Sequence, residues 1–290
     1  MKKKIALILT GVMIIAVLSG CSDNQTEGFS TSKEINVVSR EDGSGTRGAF
    51  IELMGIEEKG ADGSKTDKTT KDAIIANKTD VMMTNVAGDT YAIGNISLGS
   101  LNDTVKAVKV DGVEGTTENI KNNNYKVARP FNIATKGEPT GLAKDFVDYI
   151  FSAEGQAVIA KSYIATDDKA VAYSGKKPSG KIVIAGSSSV SPIMEKLVEA
   201  YSEINAKAQI EVQTSDSTAG MTGAIDGTCD IGMASRDLKD SEKQILTGKE
   251  IALDGIIIVV NNNNPVNELT SADIRGIFTG NITSWSELAE

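Results

Sequence analysis

Short apolar strands that run through a glycine- or serine-rich turn into a helix recur along this sequence, and this repeated unit constrains the fold more than any other feature. One unit spans residues 35–54, and another spans residues 181–201, where Pro192 stands at a position suited to the first helical turn. Repeated alternation of strands and helices is typical of α/β proteins. The sequence therefore predicts α/β lobes built on mostly parallel or mixed sheets.

The other predicted elements follow the same alternation. Apolar runs predict strands at residues 92–98, 105–110, 129–133, 209–213, 230–236 and 256–260. Three- and four-residue apolar spacing predicts helices over residues 141–163 and 272–278 and after the polar turn at residues 215–220. Residues 173–180 and 261–264 are predicted loops. A chain of 290 residues is long enough for two domains.

The N-terminus has the pattern of a secretory signal. Three lysines precede an apolar run, and residues 18–21 read Leu-Ser-Gly-Cys. This ending resembles a bacterial lipobox, which would make Cys21 the lipidated first residue of the mature protein. An uncleaved membrane anchor is the alternative. Residues 22–33 are predicted to be a tether, and Cys229, left without a partner, is predicted to be a small buried side chain.

Composition excludes several functions. The chain has no histidine, so it lacks the usual general base and the commonest transition-metal ligand. Its formal net charge is −9, and loss of the signal lysines would make it more acidic, which argues against a nucleic-acid partner. A chain this acidic can bind an anion only through local donors and dipoles.

Hydroxyl side chains at the starts of helices supply such donors. In the segment Gly43-Ser44-Gly45-Thr46, two glycines and two hydroxyls are flanked by Arg40 and Arg47, which is more than a helix cap needs. Taken singly, Ser191 and Ser217 are interpreted as N-caps. No segment fits a phosphate loop of nucleotide hydrolases, a calcium loop or a serine nucleophile with its base. The residues therefore point to an oxyanion site without catalysis.

Four motifs resemble the phosphate-binding lipoproteins of bacterial ABC importers, the PstS family, across essentially the whole mature chain. The matching segments are residues 38–47 (VSREDGSGTR), 184–192 (IAGSSSVSP), 230–236 (DIGMASR) and 280–285 (GNITSW). Their order differs from the family's, in which the second motif lies near the N-terminus. This order resembles a circular permutation in which residues 173–180 join the old termini. A chain cut from a tandem duplication, or a misassembled gene, is the alternative.

The resemblance implies a two-lobed fold of the type II periplasmic-binding-protein kind, with mixed sheets flanked by helices and the ligand in the cleft between the lobes. Mapped onto that fold, residues 130–258 would form lobe A. Residues 34–129 together with 259–290 would form lobe B, so that the chain's beginning and end complete one lobe.

The resemblance also implies the ligand contacts. These would come from Arg40, Ser44, Gly45 and Thr46 in one lobe and from Ser188, Ser189, Val190 and Ser217 in the other. Arg236 is a further candidate ligand contact, at the position where family members commonly carry an aspartate acceptor, and Asp237 follows it. Asp42 could accept a hydrogen bond from the ligand or could instead hold Arg40. Without a carboxylate at the ligand, sulfate or another tetrahedral anion becomes a rival to phosphate.

The implied function is capture of inorganic phosphate for an ABC permease, by a monomer held on the extracytoplasmic face of a Gram-positive cell membrane through a lipid on Cys21. No enzymatic activity, cofactor, metal or nucleic acid is expected. A surface signalling or adhesion protein that kept the fold is the alternative from another class. An oxyanion-processing enzyme is disfavoured because histidine is absent.

Overall fold

A computed structural model describes residues 28–288. The predicted signal, Cys21 and the first half of the predicted tether lie outside the described residues. The strands of the described part are β1 (Asn36–Arg40), β2 (Glu57–Lys59), β3 (Lys65–Asp67), β4 (Ile74–Ala76), β5 (Ala92–Ser97), β6 (Lys106–Val110), β7 (Ala128–Thr135), β8 (Ile164–Ala165), β9 (Gly180–Ser187), β10 (Ala208–Ser215), β11 (Ile231–Ala234), β12 (Thr247–Val260) and β13 (Glu268–Leu269). The α-helices are α1 (Gly45–Leu53), α2 (Thr79–Gly88), α3 (Thr117–Lys121), α4 (Gly141–Ile150), α5 (Ala153–Ile159), α6 (Ser191–Ile204), α7 (Ser217–Asp226), α8 (Asp240–Lys243) and α9 (Ser271–Phe278).

The main sheet is mixed, as the sequence predicts. Its strands run in the order β10-β9-β11-β7-β12-β5-β1-β4, with β6, β8 and β13 attached beside this path and β2–β3 forming a separate hairpin. β9 pairs in parallel with β10 and β11, and β1 pairs in parallel with β4 and β5. The pairs that β12 makes with β5 and β7 are antiparallel.

β12 passes from one half of the molecule to the other. Up to Gly255 it pairs with β7, and from Ile256 to Val260 it pairs with β5, with a register shift between Glu250 and Ala252. The predicted strand at residues 256–260 is therefore the second half of a longer strand. Its side chains are fully buried, which explains the continuous apolar run.

Two large hydrophobic cores lie on either side of this crossing, and a smaller third cluster draws on residues 134–246. The first core draws on residues 35–127 and 256–285 and includes Phe50 packed edge-on against Phe278 at 4.7 Å. The second core draws on residues 131–252 and includes Phe146 and Tyr201, whose rings lie 5.2 Å apart. Each core is covered by its own helices, so the fold is a two-part α/β architecture.

The two ends of the described chain meet beside the first core. The amide of Ile35 donates to the carbonyl of Thr283 at 2.7 Å, and Glu34 and Ser284 form an antiparallel bridge. The Phe29 ring also lies edge-on to Trp285. The first core is thus completed by the C-terminal segment.

Several predicted elements differ from the structure. The predicted helix over residues 141–163 is two helices, α4 and α5, because the Ser152 hydroxyl accepts a hydrogen bond from the Gly155 amide and caps a new helix. The hairpin β2–β3, strand β4 and helix α2 were not predicted, since these strands are short and largely exposed and carry no clear apolar pattern. Cys229 is buried and free, as predicted. Within residues 28–288, no helix is both long enough and apolar enough to cross a membrane.

Candidate functional site

Four helices begin at one place between the two cores. α1 and α2 follow the parallel strands β1 and β4, and α6 and α7 follow the parallel strands β9 and β10. The carboxyl ends of parallel strands lie at one edge of a sheet, so the helices that follow them start together. Their first amides have no carbonyl partner within the helix and carry partial positive charge, which favours an anion.

Seven hydroxyl side chains fill the space among these helix starts and form what we call the hydroxyl cluster. None of the seven residues is more than 6% exposed. They are Thr46, Thr79, Ser187, Ser188, Ser189, Ser217 and Ser235.

Hydrogen bonds connect the cluster across the two halves of the molecule. The hydroxyl oxygens of Thr46 and Ser189 lie 2.8 Å apart, and that of Thr79 lies 3.2 Å from Ser188 and 3.3 Å from Ser189. Ser235 lies 2.9 Å from Ser187 within the second half. The structure thus brings together hydroxyls from distant parts of the sequence.

Arg40 provides the positive charge of the cluster. Its side chain is 3% exposed, its Nη2 donates to the Ser188 hydroxyl at 3.0 Å, and its Nη1 donates to Thr79 at 3.3 Å. Its Nε also donates to the carbonyl of Ala76 at 3.2 Å. Arg40 therefore lies at the cluster, with Nη1 and Nη2 of the guanidinium facing hydroxyls.

Glu41, rather than Asp42, is the carboxylate paired with Arg40. Its two oxygens accept from Nε and Nη2 of Arg40, each at 2.8 Å. The Asp42 side chain is 96% exposed and pairs with Arg47 at 2.9 Å, outside the cluster. The expectation that Asp42 holds Arg40 is wrong, because the turn that starts at Asp42 directs its side chain to solvent.

Arg236 lies at the edge of the cluster but is engaged elsewhere. Its Nη1 and Nη2 each donate to the Glu242 carboxylate at 2.8 Å, and Nη2 lies 3.5 Å from the Thr218 hydroxyl. Burial would raise the pKa of Glu242, but hydrogen bonds from Arg236 and from the Lys239 amide lower it below its usual range. The position that would carry an acidic acceptor therefore carries a neutralised ion pair.

The remaining predicted site residues have identifiable structural contacts. The Ser44 hydroxyl caps α1 by accepting from the Arg47 amide at 3.3 Å. Gly45 and Thr46 are the first two residues of α1. Val190 is fully buried, and its amide donates to the carbonyl of Ser187 at 3.0 Å.

The predicted capping roles of Ser191 and Ser217 are wrong. The N-cap of α6 is Val190 and that of α7 is Asp216, whose carboxylate accepts from the Ala219 amide at 2.8 Å. Ser217 instead accepts from the amide of Ser235 at 3.1 Å, inside the cluster.

Three cluster residues were not among the predicted site residues. Thr79 opens α2 directly after β4, and Ser187 and Ser235 end or follow the strands β9 and β11. A hydroxyl at the carboxyl end of each strand is the signal that could have found them. For Thr79 it is obscured because β4 has only three residues.

The site is suited to holding a small oxyanion. A hydroxyl can both donate and accept a hydrogen bond, so these side chains can donate to an ionised oxygen of a bound anion and accept from a protonated one. Arg40 contributes a charge-assisted donor, and the helix starts contribute oriented amides. Among residues 28–288, no group of three cysteine, aspartate or glutamate side chains is arranged to hold a metal ion.

Comparisons with known proteins show which family this chain resembles. A family model described as a PBP superfamily domain matches residues 2–154 and 171–290. The chain is 52% identical, over 98% of its length and 97% of the relative's, to "Phosphate-binding protein PstS 2" of Streptococcus agalactiae. It is 39% identical to the Streptococcus pneumoniae protein of the same name over 99% of each chain. By contrast, a Staphylococcus saprophyticus "Phosphate-binding protein PstS" is 36% identical over 39% of this chain and 38% of its own length.

A solved structure covers most of the chain. The phosphate-binding protein of a phosphate ABC transporter from Streptococcus pneumoniae TIGR4 is 42% identical, with a TM-score of 0.70. The alignment covers 88% of this chain and all of that one. The predicted fold class, a two-lobed α/β fold of the periplasmic-binding-protein kind, is confirmed.

Proposed function

We propose, because this chain belongs to the PstS family of phosphate-binding proteins, that it captures inorganic phosphate in the hydroxyl cluster and delivers it to an ABC permease. The observation that carries the proposal is the set of buried hydrogen bonds that Arg40 and Thr46 make to Ser188 and Ser189. These residues come from opposite sides of the crossing strand β12, so an anion bound among them is held by both halves of the molecule.

The proposed contacts combine charge, hydroxyls and amides. Arg40 would donate to one phosphate oxygen, and Thr46, Ser189 and Ser217 would donate or accept through their hydroxyls. The amides at the start of α1, Gly45 and Thr46, would complete the shell, with Ser44, Ser188 and Val190 shaping the two turns. Thr79 joins this set because it contacts Arg40, Ser188 and Ser189.

Charge at the site is balanced locally. Glu41 neutralises Arg40, so the bound anion is held mainly by neutral donors rather than by a net positive field. This arrangement suits an acidic chain, whose overall charge repels anions. Because the Glu41 carboxylate accepts from Arg40 beside the cluster, Glu41 is the candidate acceptor for the proton that phosphate carries and sulfate lacks.

The lobes would be residues 130–258 and residues 34–129 with 259–290, closing about β7 and β12. We further propose that the order of the segments is a circular permutation. It is supported by the contact between the two chain ends and by streptococcal relatives that match from end to end. The partial match to the staphylococcal protein is the pattern expected when only one segment aligns in order.

The proposed setting is the outer face of the cell membrane, reached through a lipid on Cys21. There a monomer without enzymatic activity would pass phosphate to the membrane subunits of the permease. The lipobox-like residues 18–21 and the tether that follows support this placement. Mass spectrometry of the membrane-extracted protein would reveal the lipid, and an unmodified Cys21 would contradict the anchor.

Titration calorimetry of the full-length chain in detergent, with phosphate, sulfate and molybdate in turn, tests the function. We expect phosphate to bind most tightly and Arg40→Ala to abolish most of this binding while the circular dichroism spectrum stays unchanged. Failure of the folded wild type to bind phosphate would overturn the proposal. Equal binding of sulfate would replace phosphate selectivity with general oxyanion capture.

A further inference from the structure

Gly43 lies so close to the start of α7 that a Cβ atom at its position would overlap the Asp216 side chain. A Cβ atom built on Gly43 would lie 2.3 Å from Oδ1 and 2.5 Å from Cγ of Asp216. Both distances are below any real contact of a Cβ atom. Gly43 belongs to the loop that leads into α1 beside the first core, and Asp216 caps a helix of the other half.

This contact is fixed from both sides. The Asp216 carboxylate accepts from the Ala219 amide at 2.8 Å, which holds it in its capping position. The Gly43 carbonyl accepts from the amide of Thr218, the second residue of α7, at 3.2 Å. The loop therefore supplies a backbone cap to a helix in the other half of the molecule.

We propose that the contact of Gly43 with Asp216 and Thr218 is a closure latch: it lets the two halves approach until the hydroxyl cluster forms, and the absence of a side chain at residue 43 sets how far they close. The latch rests on the proposed function, since it positions the phosphate site. Gly43 and Asp216 act as positioning residues, because the contact lies beside the cluster rather than in it.

If the latch sets how far the halves close, a side chain at residue 43 should disturb the site. The backbone of Gly43 is not in the left-handed region, so alanine there has no conformational penalty and only its bulk matters. Relief of the overlap requires Asp216 to leave its cap or the two halves to separate. Separation would pull Thr46 away from Ser189, which lie 2.8 Å apart in the closed contact.

A compensating pair of substitutions tests this steric claim. Gly43→Ala introduces the overlap, and Asp216→Gly removes every atom that the new Cβ would meet. Glycine is tolerated at a helix N-cap, so Asp216→Gly should cost the helix little stability. Gly48→Ala is the matched control, because it lies on α1 five residues further on and its Cβ would meet nothing within 4 Å. The readouts are the phosphate Kd of the full-length chain and the pulsed-EPR distance between spin labels at Lys71→Cys and Lys196→Cys, both exposed positions.

We expect Gly43→Ala to weaken phosphate binding by about tenfold or more, as overpacking of a close contact does, and to lengthen the label distance. Adding Asp216→Gly should restore both values to within roughly threefold and within the width of the wild-type distance distribution. Gly48→Ala should match the wild type.

Two results would overturn the latch: wild-type affinity in Gly43→Ala, or a double variant that stays as weak as Gly43→Ala alone. A wild type that binds no phosphate would contradict the proposed function instead. The label distances measured without phosphate would then still decide on the latch, because the contact between Gly43 and Asp216 involves no ligand.

Discussion

The hydroxyl oxygens of Thr46 and Ser189 lie 2.8 Å apart, although 143 residues separate them along the chain. Thr46 belongs to α1, which packs on the first core through Phe50, and Ser189 precedes α6, which packs on the second core. The pair is buried, at 1% exposure each. The distance between these two oxygens therefore shows how closely the two halves of the molecule meet around the proposed ligand.

Thr46→Val should weaken phosphate binding by roughly 5- to 150-fold, because valine keeps the shape of threonine and removes the hydroxyl, leaving a buried polar group without its partner. Calorimetry of the full-length chain measures the change. Thr46→Ser, which keeps the hydroxyl, should retain most of the affinity. Equal affinities for the valine variant and the wild type would remove Thr46 from the site.

Thr79→Val tests one of the three cluster residues that were not predicted from the sequence. Its hydroxyl lies 3.3 Å from Arg40 Nη1 and 3.2 Å from the Ser188 hydroxyl, so its loss should lower phosphate affinity by about tenfold. Thr84→Val is the matched control on the same helix, since Thr84 is exposed and its hydroxyl donates only to the carbonyl of Asp80. If both variants bind phosphate alike, Thr79 has no part in binding.

How much of the site can be predicted from the sequence is clear from residues 40–46. Motif and composition placed Arg40 and Thr46 at an oxyanion site, and the structure brings both to the hydroxyl cluster. They assigned the neighbouring carboxylate to Asp42, whereas Glu41 is the one that reaches Arg40. In extended chain, adjacent side chains point to opposite sides, so a one-residue difference decides which acid is inside. Spacing alone does not fix that direction.

For the fold, too, some features could be predicted from the sequence and others could not. Apolar patterns predicted β9, β10 and α6 near their observed bounds, and the second half of β12, because packing against a core imposes a regular pattern. The break between α4 and α5 depends on one hydrogen bond, from the Gly155 amide to Ser152. The contact between the Thr79 and Ser188 hydroxyls depends on tertiary packing, which local sequence patterns do not predict.

A chain recut to the other order should fold. Joining residue 288 to residue 29 through a short flexible linker, and opening the chain between Lys176 and Lys177, moves the ends to the predicted seam. The seam is held by Asp145, which accepts from the Lys176 amide at 2.8 Å and from the Tyr201 hydroxyl at 2.6 Å. The cut endangers only the first of these bonds, so the cost should be about 0.5–1.5 kcal/mol of unfolding free energy.

Urea unfolding and phosphate calorimetry of the recut chain measure this cost. A chain opened instead between Ile257 and Ile258, inside the fully buried strand β12, serves as the comparison and should not fold. A seam-cut chain as unstable as the β12-cut chain would contradict the proposed permutation.

Asp254 should give the protein a pH-dependent stability. It lies on β12 opposite Arg129 on β7, pairs with it at 3.0 Å, and accepts from the Ser97 hydroxyl at 2.9 Å. Burial raises the pKa of Asp254 to about 6, which the attraction of Arg129 only partly offsets. Between the unfolded pKa of 3.8 and this value, the folded state holds more protons than the unfolded state. The stabilisation is therefore fully present below about pH 4 and is lost as pH rises through about 6.

Asp254→Asn removes this titration. At about pH 4 the variant should be about as stable as the wild type, because a protonated Asp254 and an asparagine are both neutral beside Arg129. As pH rises through about 6, the wild type should lose up to about 3 kcal/mol of unfolding free energy relative to the variant, and the difference should then stay level. Urea unfolding at several pH values across this range measures it. Asp240→Asn, at a side chain that is 99% exposed, should show no such slope. A difference that stays constant with pH would mean that Asp254 is already ionised at pH 4 in the folded protein, because its attraction to Arg129 outweighs the cost of its burial.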